Sequence, residues 1–117
     1  MCPDATFERF KEIVRGIDLR SKAGDHARAL GMLPGLLAVE RDDPRYSMKK
    51  SHFIAALAFR AVQAGEREVA FRFLDLADRE LPDEHMIPFL REERWTIREA
   101  ATGPGPGVGG ETSEDLG

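Results

Sequence analysis

The stretch SHFIAALAFRAVQAGEREVAFRFLDLADRELPDE, residues 51–84, leaves little choice of fold. From about Pro44 to Ala64, Ile54, Leu57, Ala58, Ala61 and Val62 recur at three- and four-residue steps, which puts them on one face of a helix. Phe53 and Phe59 widen that face. Gly65 interrupts the pattern, and glycine just past a helix end takes left-handed backbone without a steric penalty. From Glu66 a second helix resumes. Its apolar stripe is Val69, Ala70, Phe73, Leu74, Ala77 and Leu81, and Pro82 stops it. Ala58, Ala70 and Ala77 stand where two such helices touch, and alanine there lets the axes approach to roughly 8–10 Å. On the outer face Glu68 precedes Arg72, and Asp75 precedes Arg79, by one helical turn. That spacing suits ion pairs worth about 0.2–0.5 kcal/mol each. The stretch predicts a helical hairpin cornered at Gly65.

The same corner occurs earlier in the chain. Gly24–Asp25 ends one predicted helix and starts the next, with Asp25 placed to cap free backbone N–H groups. Ala29 stands five residues after Gly24, as Ala70 stands five after Gly65, so the unit repeats at an offset of 41 residues. The helix before Gly24, opened by Pro3 and Asp4, carries Phe7, Phe10, Val14 and Ile17 on one face, with Ile13 beside them. The arm after it carries Ala29, Leu30, Leu33, Leu36 and Leu37 but also Gly31, Pro34 and Gly35. Pro34 has no N–H to bond back to Leu30, so a kink or two short helices is expected.

Asp43–Pro44, a cap followed by proline at the first helical position, opens the central helix. Arg45, Lys49 and Lys50 form a small basic cluster expected to face solvent. A last helix runs from Asp83 or Ile87 to Ala101, with Met86, Phe89, Leu90, Ile97, Ala100 and Ala101 on one face to cover the open side of the preceding hairpin. Trp95 lies almost opposite that face and is a candidate interface anchor, since tryptophan is enriched among binding hot spots. Residues 1–101 read as one all-α domain. Residues 102–117, with six glycines and two prolines in sixteen positions, read as a flexible acidic tail.

The repeat from Ser51 resembles the tetratricopeptide repeat, a 34-residue helical hairpin with a small/large signature. Leu57 and Ala58 fall on the family's leucine–glycine pair, Gly65 on its turn glycine, and Ala70, Ala77 and Pro82 on its second-helix alanines and closing proline. Leu74 takes the aromatic position between those alanines. Ile54 and Ala61 stand where the family has tryptophan and tyrosine, which weakens the match. The resemblance implies a short helical-hairpin array, two hairpins and a capping helix in a right-handed stack. It also implies a concave face, lined by the first helix of each hairpin, that holds a peptide or partner helix. On this chain that groove would consist of Lys11, Val14, Arg15, Asp18 and Lys22 together with His52, Ala55, Ala56, Phe59 and Gln63. Phe59 would be the apolar anchor, and Lys11, Arg15 and Lys22 would meet acidic groups. The family's carboxylate clamp is not reproduced, because Asp18 and Phe59 replace asparagine-type positions. A chaperone's C-terminal tail is therefore not the expected ligand.

Composition narrows the alternatives. The chain of 117 residues supports one modest core. Its net charge of −4 argues against a general nucleic-acid binder. Of 21 acidic residues, Glu111, Glu114 and Asp115 fall in the tail, leaving 18 in the body against 17 basic ones. Cys2 is the single cysteine, so no internal disulfide forms, which suits a reducing, cytoplasmic setting. No apolar run approaches the ~20 residues that span a bilayer. Abundant alanine, arginine and glycine with few lysines suits a GC-rich bacterial gene. His26, His52 and His85 lack partners at metal-ligand spacing, and no phosphate loop or nucleophile motif is present, so neither metal nor cofactor is expected. The expected function is a protein–protein interaction module, an adaptor, scaffold or regulatory subunit. The alternatives are a self-assembling subunit that dimerises through the first helix or Trp95, an assembly or secretion chaperone, and a small helical enzyme.

Overall fold

The computed structural model describes residues 5–103. Of the tail expected at 102–117, Thr102 instead ends the last helix and Gly103 caps it; residues 104–117, and Cys2, Pro3 and Asp4, lie outside the described residues. Among the described residues the fold is all helical, with no strand. The elements are α1 (Ala5–Lys22), α2 (His26–Gly31), α3 (Leu33–Leu37), α4 (Pro44–Gln63), α5 (Arg67–Glu80), a 3₁₀ turn at Asp83–His85, and α6 (Pro88–Thr102).

Both corners are built as the glycines predict, and they are built alike. Gly24 has φ +87° and Gly65 φ +81°. In the first, Asp25 N–H donates to Arg20 O at 2.9 Å and Gly24 N–H to Ser21 O at 3.0 Å. In the second, Glu66 N–H donates to Ala61 O at 2.8 Å and Gly65 N–H to Val62 O at 3.0 Å. Each pair of bonds satisfies carbonyls that a helix end otherwise leaves open. Ala29 and Ala70, equivalent residues of the two units, are both fully buried.

The arms differ. Helix α5 is continuous, whereas the corresponding arm of the first hairpin breaks at Met32, which ends α2 and begins α3. Pro34 is the cause: it sits in the first turn of α3, where its missing N–H is not needed. The link to α4 turns at Glu40, whose φ of +43° is left-handed. Asp43 then caps α4, accepting from Arg45 N–H at 2.9 Å.

Lys50 does not face solvent. It is 1% exposed, and its ammonium donates to Leu37 O at 3.0 Å, closing the C-terminal end of α3. Burial pushes its pKa below the ordinary lysine value. The outer charges of α5 also pair differently from the helical spacing. Asp75 binds Arg98 of α6 at 3.0 Å and Arg79 binds Glu80 at 3.2 Å. The cross-helix partner wins for Asp75 because α6 lies alongside.

The core runs through the second hairpin. Helix α4 packs on α5 and α6, α5 on α2 and α6, and α1 on α2, α3 and α4. Helix α6 buries Leu90, Arg94, Ile97 and Ala101. Two residues assigned to its core stripe, Phe89 and Ala100, are instead exposed. The buried stripe is centred one step away, on Arg94, whose guanidinium reaches Asp78 of α5. Its Nε has no hydrogen-bond partner. Arg67 ties the start of α5 to the end of α6 through the Gly103 carbonyl.

Candidate functional site

Polar contacts between helices mark how the long helices lie. Arg60 of α4 meets Asp18 of α1 at 2.7 Å, 42 residues away in sequence. His52 of α4 meets Glu93 of α6, 41 residues away. Lys49 reaches Phe7 at the same separation in sequence as Arg60 reaches Asp18, so α1 and α4 run parallel, and α6 also packs on α4. By contrast Arg94–Asp78 and Arg98–Asp75 run in opposite directions along α5 and α6, which is the antiparallel pattern.

On α4, helical periodicity gathers His52, Ala56, Phe59 and Gln63 on the side away from the core, with Ala55 at one edge and Lys49 at the other. Each edge opens a cleft. Toward α6 lies a cavity of about 490 Å³. Its floor is Ala55, Ala56 and Ile97, and its walls are Phe59, Phe89, Glu92, Glu93 and Thr96. The size is within the range of ligand pockets. Phe59 is 46% exposed and Phe89 62%. The alanines leave the space that the two rings border. His52 closes one side, with Nδ1 at 3.0 and 3.2 Å from the two Glu93 carboxylate oxygens.

Toward α1 lies a second cleft, lined by Phe7, Phe10, Lys11, Val14, Arg15, Asp18 and Lys49. Its floor is apolar and its rim is basic. Lys11 Nζ stands 5.0 Å and Lys49 Nζ 6.0 Å from the Phe7 ring centroid. Phe10 is held beneath by an edge-on contact with Tyr46, centroids 5.2 Å apart. Asp18 is the charged hub. Partial burial pushes its carboxyl pKa up, but hydrogen bonds from Arg60 and Lys22 outweigh this and hold it below the ordinary aspartate value.

No family model, curated protein or solved structure matches the chain.

The residues expected to form one groove fall along two clefts, and Trp95, the separate candidate anchor, lies apart from both. Ala55 and Phe59 border the α4–α6 cleft, with His52 at its side and Gln63 exposed one turn further on. Ala55 is fully buried, so it shapes the cleft and offers no reach. Lys11, Val14, Arg15 and Asp18 line the α1–α4 cleft. Lys22 is committed to Asp18 at 3.0 Å and Lys11 to Glu8 at 3.1 Å, whereas Arg15 makes no ion pair among the described residues. Trp95 lies on another side of α6, 61% exposed, beside Met86, Pro88 and Arg91. It follows the fully buried Ile54 by 41 residues, but within the described residues no helix comes after α6 to cover it.

The sequence reading missed Phe89, Glu92 and Glu93. Phe89 had been read as core. The signal that finds it is Arg94, because a stripe centred there turns Phe89 outward. Ser47 and His85 also come together, with Oγ and Nδ1 2.9 Å apart. Ser47 is fully buried, so this pair pins the 3₁₀ turn to α4 and offers no reachable nucleophile. Among the described residues no group of three or more His, Cys, Asp or Glu could hold a metal ion, and no helix is long and apolar enough to cross a membrane.

Proposed function

We propose that this protein is a tetratricopeptide-like interaction module. It takes a peptide or helix of another protein across the face shared by α1, α4 and α6. Phe59 is the anchor. The observation that carries this reading is the α4–α6 cleft: two half-exposed aromatic rings border an alanine-floored hollow that the chain's own side chains leave open. Buried aromatic anchors in such hollows supply most of the energy of an interface. The net charge of −4 favours a protein partner over nucleic acid, and the single cysteine favours a reducing cytoplasm.

Affinity capture from the native host with the full chain and with Phe59→Ala tests the reading. The expected result is a partner recovered with the former and lost with the latter, at unchanged circular dichroism. Equal recovery removes Phe59 from the interface. A second reading, self-association, is favoured by Trp95, exposed on α6 with Met86 and Pro88 beside it. Light scattering across a dilution series decides it, since a monomer at every concentration rejects it.

A further inference from the structure

The two clefts flanking α4 carry opposite charge, and this limits what can lie across them. On the α6 side the rim consists of Glu92 and Glu93. Glu93 is shared with His52, while Glu92 is exposed and makes no ion pair among the described residues. On the α1 side Asp18 is the acidic residue of the cleft lining, and it is neutralised by Lys22 and Arg60; Glu8, outside the lining, pairs with Lys11. Arg15 and Lys49 remain there in excess. Between these rims α4 presents an apolar centre, Phe59 beside Ala56, flanked along the helix by the exposed His52 and Gln63.

Resting on the interaction reading above, we infer that the partner is a peptide segment of divided charge. It carries a bulky apolar side chain for the Phe59–Phe89 hollow, lysine or arginine on the side that crosses α6, and aspartate or glutamate on the side that crosses α1. Complementary charges steer encounter and set orientation, and like charges brought together oppose binding. A segment of uniform charge meets repulsion at one end or the other. The divided rims therefore select for composition and also fix which way the segment runs.

Panning a random peptide display library against the full chain tests this. The expected winners share a large apolar residue with basic residues to one side and acidic residues to the other. Their binding, read by fluorescence anisotropy, falls about tenfold or more in Glu92→Lys/Glu93→Lys and again in Arg15→Glu/Lys49→Glu. Repanning on the first double variant selects peptides whose basic end has become acidic. The two variants alter opposite rims, so a folding defect in one leaves the other as the test. Winners that depend on Phe59 but show no charge asymmetry, or that bind both variants unchanged, overturn this inference and leave the interaction module standing. Winners indifferent to Phe59→Ala overturn both.

Discussion

In the first hairpin the arm after the glycine corner breaks at Met32; in the second the equivalent residue is Phe73, buried inside an unbroken helix. The corners themselves are superimposable in their hydrogen bonds. The difference shows that a corner and its arms answer to separate causes. The corner is set by backbone conformation, which Gly24 and Gly65 supply equally. The arm is set by its own sequence, broken at Pro34 in the first and free of proline in α5, and by what it packs between. Helix α5 lies against α2, α4 and α6 and stays straight, whereas α2 and α3 pack on α1 and, for α2, on α5. With fewer neighbours, the first arm tolerates Pro34 and reshapes itself around α1. Its Met32 methyl lies over Gly16, where an added Cβ would stand 3.6 Å away.

The widest separation between the hairpins should appear when those equivalent residues are truncated. Phe73→Ala empties a fully enclosed site and should cost about 3–5 kcal/mol. Met32→Ala, at a half-buried break that solvent and neighbours can fill, should cost about 1–2 kcal/mol. Chemical denaturation of both variants measures the gap. Equal losses would mean that the first arm is as enclosed as the second.

Enlarging the helix contact tests the same asymmetry from the other direction. Ala70→Leu should destabilise by about 1–3 kcal/mol, because α5 is held on several sides and has nowhere to move. Ala29→Leu should lose less, since the short α2 can shift. Thermal unfolding of the pair reports it, and a larger loss at Ala29 would reverse the assignment of the rigid arm.

The corners should behave as equals. An added Cβ at Gly24 or Gly65 meets no atom within 4 Å, so any cost is conformational and not steric. Gly24→Ala and Gly65→Ala should therefore each cost about 1–2 kcal/mol, the penalty of left-handed backbone for an L-residue. Losses differing by more than a factor of two would show that one corner carries packing besides the turn.

Much of this was legible in the sequence, and the parts that were not share a physical origin. Glycine corners, proline stops and apolar periodicity are local, and they located α1, α4, α5, the break at Pro34 and the capping role of α6. Lys50 was read as a surface cation because its immediate neighbours are polar and charged. Its burial depends on where α3 ends, thirteen residues upstream. Phe89 counts as core when it is grouped on one face with Met86, Leu90 and Ile97. Its exposure follows from Arg94 taking the buried stripe in order to reach Asp78, a partner on another helix. The expected pair Asp75–Arg79 gave way to Asp75–Arg98 for the same reason. Charges choose partners in three dimensions, and a single helix's spacing does not record the helix beside it.

The smallest effect tests the comparison where it touches function. Asp18 and Phe59 stand at equivalent positions, 41 residues apart, on helices that face the same way. Asp18 is spent on structure, bridging α1 to α4 through Arg60 and holding Lys22. Phe59, 46% exposed, borders the α4–α6 cleft and carries no charge to pair across the helices. Asp18→Asn should thus lower stability by about 1 kcal/mol or less, after allowing for solvent at this partly exposed pair. Phe59→Ala, at a ring about half covered, should cost about 1 kcal/mol. The pH dependence separates them. The Asp18 carboxyl titrates below its ordinary value when folded, so the unfolded chain binds the proton first as pH falls. Its contribution is complete above the ordinary aspartate value and drains away as pH drops through the depressed one. The stability difference between the parent chain and Asp18→Asn should therefore shrink toward zero in acid, while that for Phe59→Ala stays flat. Denaturation curves across the acid range measure both, and a flat difference for Asp18→Asn would remove the carboxylate from the seam between α1 and α4.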